Sequence, residues 1–143
     1  FAEVEVDTET GMVRVLKYVA AVDCGTAINP KQVEGQIEGA IVNGLSYALC
    51  EEFIFDGKGN MRNDSLSEYK IFTTKDTPPI ETILVPTYEP SAPSGAKSVS
   101  EICINGPLPV LSNAIFDAVG VRLRHGPFTP EKILEGLDGL RHR

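Results

Sequence analysis

Residues 29–49 read NPKQVEGQIEGAIVNGLSYAL and carry the most regular pattern of the chain. Asn29 is a favourable N-cap residue, and Pro30 suits the first helical position because its missing N–H would have no partner there. Apolar side chains then recur every four residues, at Val33, Ile37, Ile41, Leu45 and Leu49. Since this spacing places them on one face of a helix, the stretch predicts a long helix with one buried side.

A second stripe of the same helix carries small and polar residues. Gly35 and Gly39 lie one turn apart, and each costs about 1 kcal/mol relative to Ala in a helix interior. We therefore expect another element or a ligand to approach the backbone closely at these glycines. The polar members of the stripe are Gln32, Gln36 and Asn43. Helix statistics alone favour a solvated face, whereas the functional alternative is that Gln36 donates to and accepts from a polar ligand.

The remaining sequence alternates short strands with separate helices. Alternating apolar residues and turn signals predict hairpins and a further strand, and two apolar periodic segments predict helices. The predicted strands are 2–6, 12–22, 52–55, 60–62 and 80–85, and the predicted helices after the first are 107–123 and 131–137. Regular βαβ alternation is missing, which favours an α+β fold with hairpins and a mixed sheet packed against the glycine-containing helix and C-terminal helices. A chain of 143 residues suffices for one core, so we expect a single domain over 1–143.

A long polar connection, residues 86–100, precedes a single carboxylate. Connections of this length inside a domain are usually disordered or functional. This one ends in GAKSVSE, residues 95–101, which lacks the spacing of a phosphate-binding loop. Glu101 is followed by Ile102, Cys103 and Ile104, and an apolar surround of this kind would dehydrate the carboxylate and make it more basic. The alternative is that Glu101 is simply an exposed surface residue.

Composition excludes several classes of function. A net charge of -7 and a pI of about 4.8 make nucleic acid an unfavourable partner. The three cysteines are widely spaced and form no CxxC motif, which argues against a disulfide framework and against a metal site built from this chain's own side chains. Free thiols suit a reducing cytoplasm. The apolar run from Gly39 to Cys50 is too short to span a bilayer. Phe1 opens the chain inside an alternating apolar run, so we expect the chain to be part of something larger.

Several segments, in one order and over nearly the whole chain, resemble the motifs of one protein family. Residues 23–30 and 33–40, with Gly44-Leu45 and Ala48-Leu49, resemble the run D-x-G-x-x-x-N-P…V-E-G-Q-x-E-G…G-L…A-L. Residues 95–101 resemble the loop G-x-K-G-V-G-E, and residues 109–122 resemble the helix P-x-x-x-x-N-A-I-x-D-A-x-G-x-R that follows it. Residues 127–134 are similar to the family's terminus. The family is that of the molybdenum hydroxylase large subunits, which includes xanthine dehydrogenase and aldehyde oxidase.

The resemblance implies specific roles for five residues. Glu101 matches the family's general base beside the molybdenum, and Gln36 matches its molybdopterin-contacting glutamine. Lys97, Ser98 and Val99 would line the same pocket. The implied reaction is the hydroxylation of an sp² carbon of a purine-like N-heterocycle or an aldehyde, with water as the oxygen source. The implied cofactor is molybdenum bound to molybdopterin, as the pterin or a pterin dinucleotide, with iron–sulfur clusters and FAD on partner subunits or domains.

The resemblance also implies partners and leaves alternatives open. The expected partners are the rest of the molybdenum-binding subunit, the iron–sulfur and FAD subunits and a small-molecule substrate, and the chain alone is expected to be inactive. The alternatives are a non-catalytic interaction domain and a degenerate relative that kept the fold without the metal. Ser98 and Ser100 stand where the family commonly has glycine, which predicts a stiffer or differently hydrogen-bonded loop. Ile102 and Cys103 stand where the family often has prolines.

Overall fold

A mixed three-stranded sheet, in the order β1-β2-β3, forms one layer of the computed structural model, which describes residues 1–142. The strands are β1 (Ala2–Val6), β2 (Val13–Val22) and β3 (Ile80–Leu84). β1 pairs with β2 antiparallel, with an irregularity between Glu3 and Val4, and β3 pairs with β2 parallel. The predicted α+β class with a mixed sheet is therefore confirmed.

Helix α1 (Pro30–Leu49) packs its apolar face into the core, as predicted. The helix begins where the Asn29 side-chain oxygen accepts a hydrogen bond from the Gln32 N–H at 3.2 Å. Ile37, Ile41 and Leu45 are completely buried. Burial of each such side chain contributes roughly 1.5–3 kcal/mol. The i, i+4 stripe is thus the centre of the core and fixes which side of α1 remains outside it.

Close backbone packing occurs at a different glycine of α1 from those the sequence suggested. A Cβ at Gly44 would lie 2.6 Å from Cγ of Pro107 and 2.7 Å from the Ile104 carbonyl oxygen. At Gly35 and Gly39, in contrast, a Cβ would meet no atom within 4 Å. Within residues 1–142, therefore, Gly44 is the contact with a neighbouring element, whereas Gly35 and Gly39 face open space.

The predicted hairpin at residues 52–62 is wrong as a pair of strands. Only one bridge, between Phe55 and Met61, remains of it, around a turn in which the Asp56 carboxylate accepts from the N–H groups of Lys58 and Asn60. An isolated two-stranded hairpin is marginal without a surface to bury against. Phe55 is 59% exposed, so this segment has no such surface in the described chain.

Two further helices complete the fold with ends that differ from those predicted. Helix α2 (Pro107–Val119) buries Leu111 and Ile115 and ends at Gly120, whose φ of 76° lies in the left-handed region. It therefore stops short of the predicted Leu123, because a left-handed glycine terminates the helix. Helix α3 (Pro130–Arg141) is longer at both ends than the predicted 131–137.

One segment among the described residues, Ile102–Val119, is apolar and long enough to cross a membrane by length and composition alone. It lies outside the run Gly39–Cys50, which the sequence alone singles out. The segment consists of a short 3₁₀ helix (Ile102–Asn105) followed by α2, and Gly106 separates them. Leu111 and Ile115 in it are fully buried in the core of this chain. Core helices of ordinary domains pass the same test of length and composition.

Candidate functional site

The loop that leads into α1 and the loop at residues 95–99 lie side by side. The Lys97 N–H donates to the Cys24 carbonyl oxygen at 2.7 Å, and the Thr26 N–H donates to the Gly95 carbonyl oxygen at 2.9 Å. Gly25 and Ala96 form an antiparallel bridge between these two bonds. Two motifs about 70 residues apart in sequence thus form one short ribbon of backbone.

Gly25 is required at the centre of this ribbon for two reasons. Its φ of 64° lies in the left-handed region that side chains disfavour. A Cβ on Gly25 would also collide with the Gly95 carbonyl oxygen and come within 3.0 Å of the Lys97 nitrogen. The glycine of the D-x-G motif is therefore explained by the approach of the 95–99 loop.

The Asp23 carboxylate accepts hydrogen bonds from three donors beside this ribbon. They are Lys97 Nζ at 2.7 Å, the Gly25 N–H at 2.9 Å and the Thr87 hydroxyl. The Lys97 and Thr87 donors, followed by the Gly25 N–H, lower the pKa of Asp23 from 3.8 to about 2. The carboxylate is thus ionised at neutral pH.

A cavity of about 670 Å³ opens between this ribbon and the first turns of α1. Three of the five predicted site residues, Gln36, Lys97 and Val99, lie in its wall. Gln36 is exposed and Gly35 beside it carries no side chain, so the cavity reaches the helix backbone. The rest of the wall combines polar side chains with apolar ones: Cys24, Thr26, Ala27, Ile28, Asn29, Gln32, Val33 and Ala96.

The other two predicted site residues lie outside this wall. Ser98 and Glu101 are both exposed and neither lines the cavity. Glu101 immediately precedes the 3₁₀ helix, and its carbonyl oxygen accepts from the Ile104 N–H at 3.1 Å. The apolar surround predicted for its carboxylate is not formed by the described chain, because Glu101 is exposed and the neighbouring Ile102 is itself 46% exposed.

Sequence reasoning missed the connecting role of Asp23 and Thr87. For Asp23 a signal existed, since an acidic residue directly after a strand and a lone lysine in the 95–101 loop have complementary charges. For Thr87 the sequence holds no comparable signal. Asn43, which the sequence placed on the same stripe as Gln36, is exposed and lies away from the cavity.

A larger cavity, of about 750 Å³, lies between β2 and residues 70–79. None of the five predicted site residues lines it. Volume alone therefore does not select the site, whereas the smaller cavity is lined by three of the five predicted residues.

Comparison with known proteins identifies the family. Residues 1–78 match the family model of the molybdopterin cofactor-binding domain. The chain is 43% identical over 141 residues to the probable hypoxanthine oxidase of Escherichia coli strain K12, which covers 98% of this chain and 15% of that protein. It is 36% identical over 137 residues to the carbon monoxide dehydrogenase large chain of Hydrogenophaga pseudoflava, covering 94% of this chain and 17% of that one.

A solved structure agrees with these relatives. The aldehyde oxidoreductase from Desulfovibrio gigas superposes with a TM-score of 0.88 at 32% sequence identity, over 96% of this chain and 15% of that one. The chain thus spans less than one fifth of the length of each of these three proteins. The match with the family model, together with these similarities, shows that the chain belongs to the molybdopterin cofactor-binding domains of the molybdenum hydroxylase large subunits.

Proposed function

We propose that the chain works as part of a molybdopterin-dependent oxidoreductase that hydroxylates an sp² carbon of an N-heterocycle or an aldehyde, with water as the oxygen source. One observation supports this above the others: Gln36, Lys97 and Val99, taken from two distant motifs, line one cavity. A non-catalytic surface would not need to bring these residues together. The names of the relatives, which include a probable hypoxanthine oxidase and an aldehyde oxidoreductase, fit the same substrate classes.

The cavity suits an organic heterocycle with a polar edge. Its volume of about 670 Å³ lies within the range typical of small-molecule sites. The amide of Gln36 offers both a donor and an acceptor, as the edge of a pterin requires. Gly35 leaves room beside it, since a Cβ there would meet nothing within 4 Å. When bound, the molybdenum cofactor would supply a two-electron redox centre to this site.

The 95–99 loop would contribute main-chain contacts rather than the ammonium of Lys97. The Lys97 N–H already donates to Cys24, and its Nζ already pairs with Asp23. Free main-chain donors for a ligand would therefore come from Ser98 and Val99. Ser98 is exposed, so its role would be limited to its backbone and to contacts with parts of the assembly beyond this chain.

Glu101 is proposed as the general base. Its side chain is exposed in this chain, and its backbone is fixed at the start of the 3₁₀ helix. A positioned carboxylate can take the proton of a water-derived nucleophile, and such contributions are typically about 10²–10⁴-fold in rate. The dehydrating surround that this chain does not form would have to come from the rest of the subunit.

The remaining features of the assembly are also proposals. The relatives bear names such as large chain and large subunit, which supports further subunits for the enzyme to which this chain contributes. Iron–sulfur and FAD subunits would accept the electrons, and the cytoplasm is the proposed location. The chain alone would be inactive, because it spans less than one fifth of the relatives described above.

The test of the catalytic role is Glu101→Gln in the complete enzyme. Anaerobic reduction of the enzyme by substrate should slow by about 10²–10⁴-fold, because Gln keeps the size and polarity of the side chain but cannot accept the proton. Glu135→Gln on α3, where the carboxylate is also exposed, is the matched control and should leave the rate unchanged. Near wild-type reduction in Glu101→Gln, at full molybdenum content, would refute the assignment.

A further inference from the structure

We propose that Asp23 and Lys97 are positioning residues, whose ion pair holds the 95–99 loop in the arrangement that accepts the cofactor. This inference rests on the proposed function, because it takes the cavity beside the loop to be the cofactor site. The pair joins the end of β2 to a loop more than 70 residues later. Lys97 lies in the cavity wall, and Asp23 directly precedes Cys24, which also lies in it. It fixes a part of the wall that has no helix or strand of its own.

The main chain and the side chain of Lys97 both bind to residues 23–24. Its N–H donates to the Cys24 carbonyl oxygen, and its Nζ lies 2.7 Å from the carboxylate of Asp23, the preceding residue. With main chain and side chain both bound to residues 23–24, the peptide around Lys97 cannot rotate without breaking one of the two bonds. Val99, two residues later, keeps its place in the cavity wall for that reason.

Asp23 is in turn fixed by contacts that do not involve Lys97. Its Oδ1 accepts from the Gly25 N–H and from the Thr87 hydroxyl, whereas Oδ2 faces Lys97. Thr87 lies in the irregular connection after β3, so the carboxylate binds together three separate segments of backbone. The lowered pKa of Asp23 agrees with a carboxylate that stays charged throughout the range in which an enzyme works.

Because the pair is partly exposed, it should affect the position of the loop more than the free energy of unfolding of the whole chain. The side chains of Lys97 and Asp23 are 36% and 42% exposed. Exposed pairs of this kind contribute little to the free energy of unfolding. Their loss should therefore loosen the loop without unfolding the chain. The pair between Lys17 and Glu81, at 2.6 Å and with 48% and 52% exposure, offers a matched control outside the cavity wall.

A competing role for Lys97 is direct contact with an anionic group of the cofactor. In that case Asp23 and Lys97 would affect cofactor binding independently, because the Lys97 ammonium would bind the cofactor without the Asp23 carboxylate. A double-mutant cycle distinguishes the two roles, because residues that act through each other give non-additive effects.

The experiment uses the complete enzyme with Asp23→Asn, Lys97→Met, the double variant, Lys97→Arg and the control Lys17→Met. Two quantities are measured: hydrogen exchange of peptides that cover the 95–99 loop, and molybdenum and pterin content per chain. Each single variant should speed loop exchange by roughly two- to fivefold, the range that an exposed pair supplies, and should lower cofactor content. The double variant should be no worse than either single one, Lys97→Arg should restore the loop, and Lys17→Met should leave it unchanged.

Two outcomes would overturn the proposal. If loop exchange is the same in wild type, Asp23→Asn and Lys97→Met, the pair does not hold the loop. If the losses of cofactor content in the two single variants add in the double variant, Lys97 contacts the cofactor itself. A wild-type enzyme without molybdenum or pterin would refute the proposed function instead, and loop exchange in that cofactor-free protein still decides whether the pair positions the loop.

Discussion

Replacing Gly44 or Gly39 of α1 by alanine should change the free energy of unfolding in opposite directions. In Gly44→Ala the new methyl group would meet Cγ of Pro107 at 2.6 Å and the Ile104 carbonyl oxygen at 2.7 Å, neither of which is the end of a flexible side chain. Overpacking of this kind costs about 1–3 kcal/mol, and the tight contacts place Gly44 near the upper end. The gain in helix propensity is about 1 kcal/mol. The net effect is a loss of about 2 kcal/mol in the free energy of unfolding.

Gly39→Ala is the matched comparison, because it makes the same change on the same helix with nothing within 4 Å. Only the propensity term remains, so the free energy of unfolding should rise by about 1 kcal/mol. Urea unfolding followed by far-ultraviolet circular dichroism measures both. With a urea dependence of about 2 kcal/mol per molar, the midpoint should fall by about 1 M for Gly44→Ala and rise by about 0.5 M for Gly39→Ala. Shifts in the same direction would refute the packing described for Gly44.

Three further perturbations test other parts of the structure. Asn29→Ala removes the cap of α1 and should lower the free energy of unfolding by about 1 kcal/mol, so an unchanged urea midpoint would count against the cap. Ser46→Ala removes the hydroxyl that accepts from the Phe72 N–H at 2.9 Å and should cost about 1–3 kcal/mol in the same assay; a neutral result would mean that water replaces it. Asp23 should titrate at a pKa of about 2. Since its pKa is lowered on folding, its contribution to the loop is complete above the ordinary value near 3.8 and lost as the pH falls towards 2. A carboxyl ¹³C titration midpoint near 3.8 would contradict the contacts with Lys97.

Local signals account for what the sequence predicted well. Asn29-Pro30 and the four-residue apolar period gave the bounds of α1 as Pro30–Leu49, because capping and one-sided burial are both decided within a few turns. The apolar period alone predicts a helix to residue 123, which is too long for α2. Gly120, in the left-handed region, ends the helix earlier. At residues 52–62 the turn around Asp56 forms, but strand formation depends on a surface that the described chain does not provide.

Single motifs of the sequence select candidate site residues, but they do not predict how those residues are arranged. Gln36 and the 95–101 loop were selected from separate motifs, and nothing in their spacing predicts that Gly25 bridges Ala96. Such pairings depend on tertiary folding over about 70 residues, which periodicity does not report. The described chain leaves Glu101 exposed for a related reason: an apolar residue adjacent in sequence, here Ile102, does not by itself bury a carboxylate.

The cavity beside α1 is proposed to hold the molybdenum cofactor through Gln36. The most direct measurement is the molybdenum and pterin content of the purified complete enzyme, for Gln36→Ala against wild type and against Asn43→Ala, an exposed amide on α1 outside the cavity wall. Leaving a ligand's polar edge unpaired costs about 1–3 kcal/mol, so Gln36→Ala should bind the cofactor roughly 5- to 160-fold more weakly. Asn43→Ala should retain the wild-type content. Equal and full cofactor content in all three proteins would contradict the claim, whereas a wild-type enzyme without cofactor would favour an interaction domain or a relative that kept only the fold.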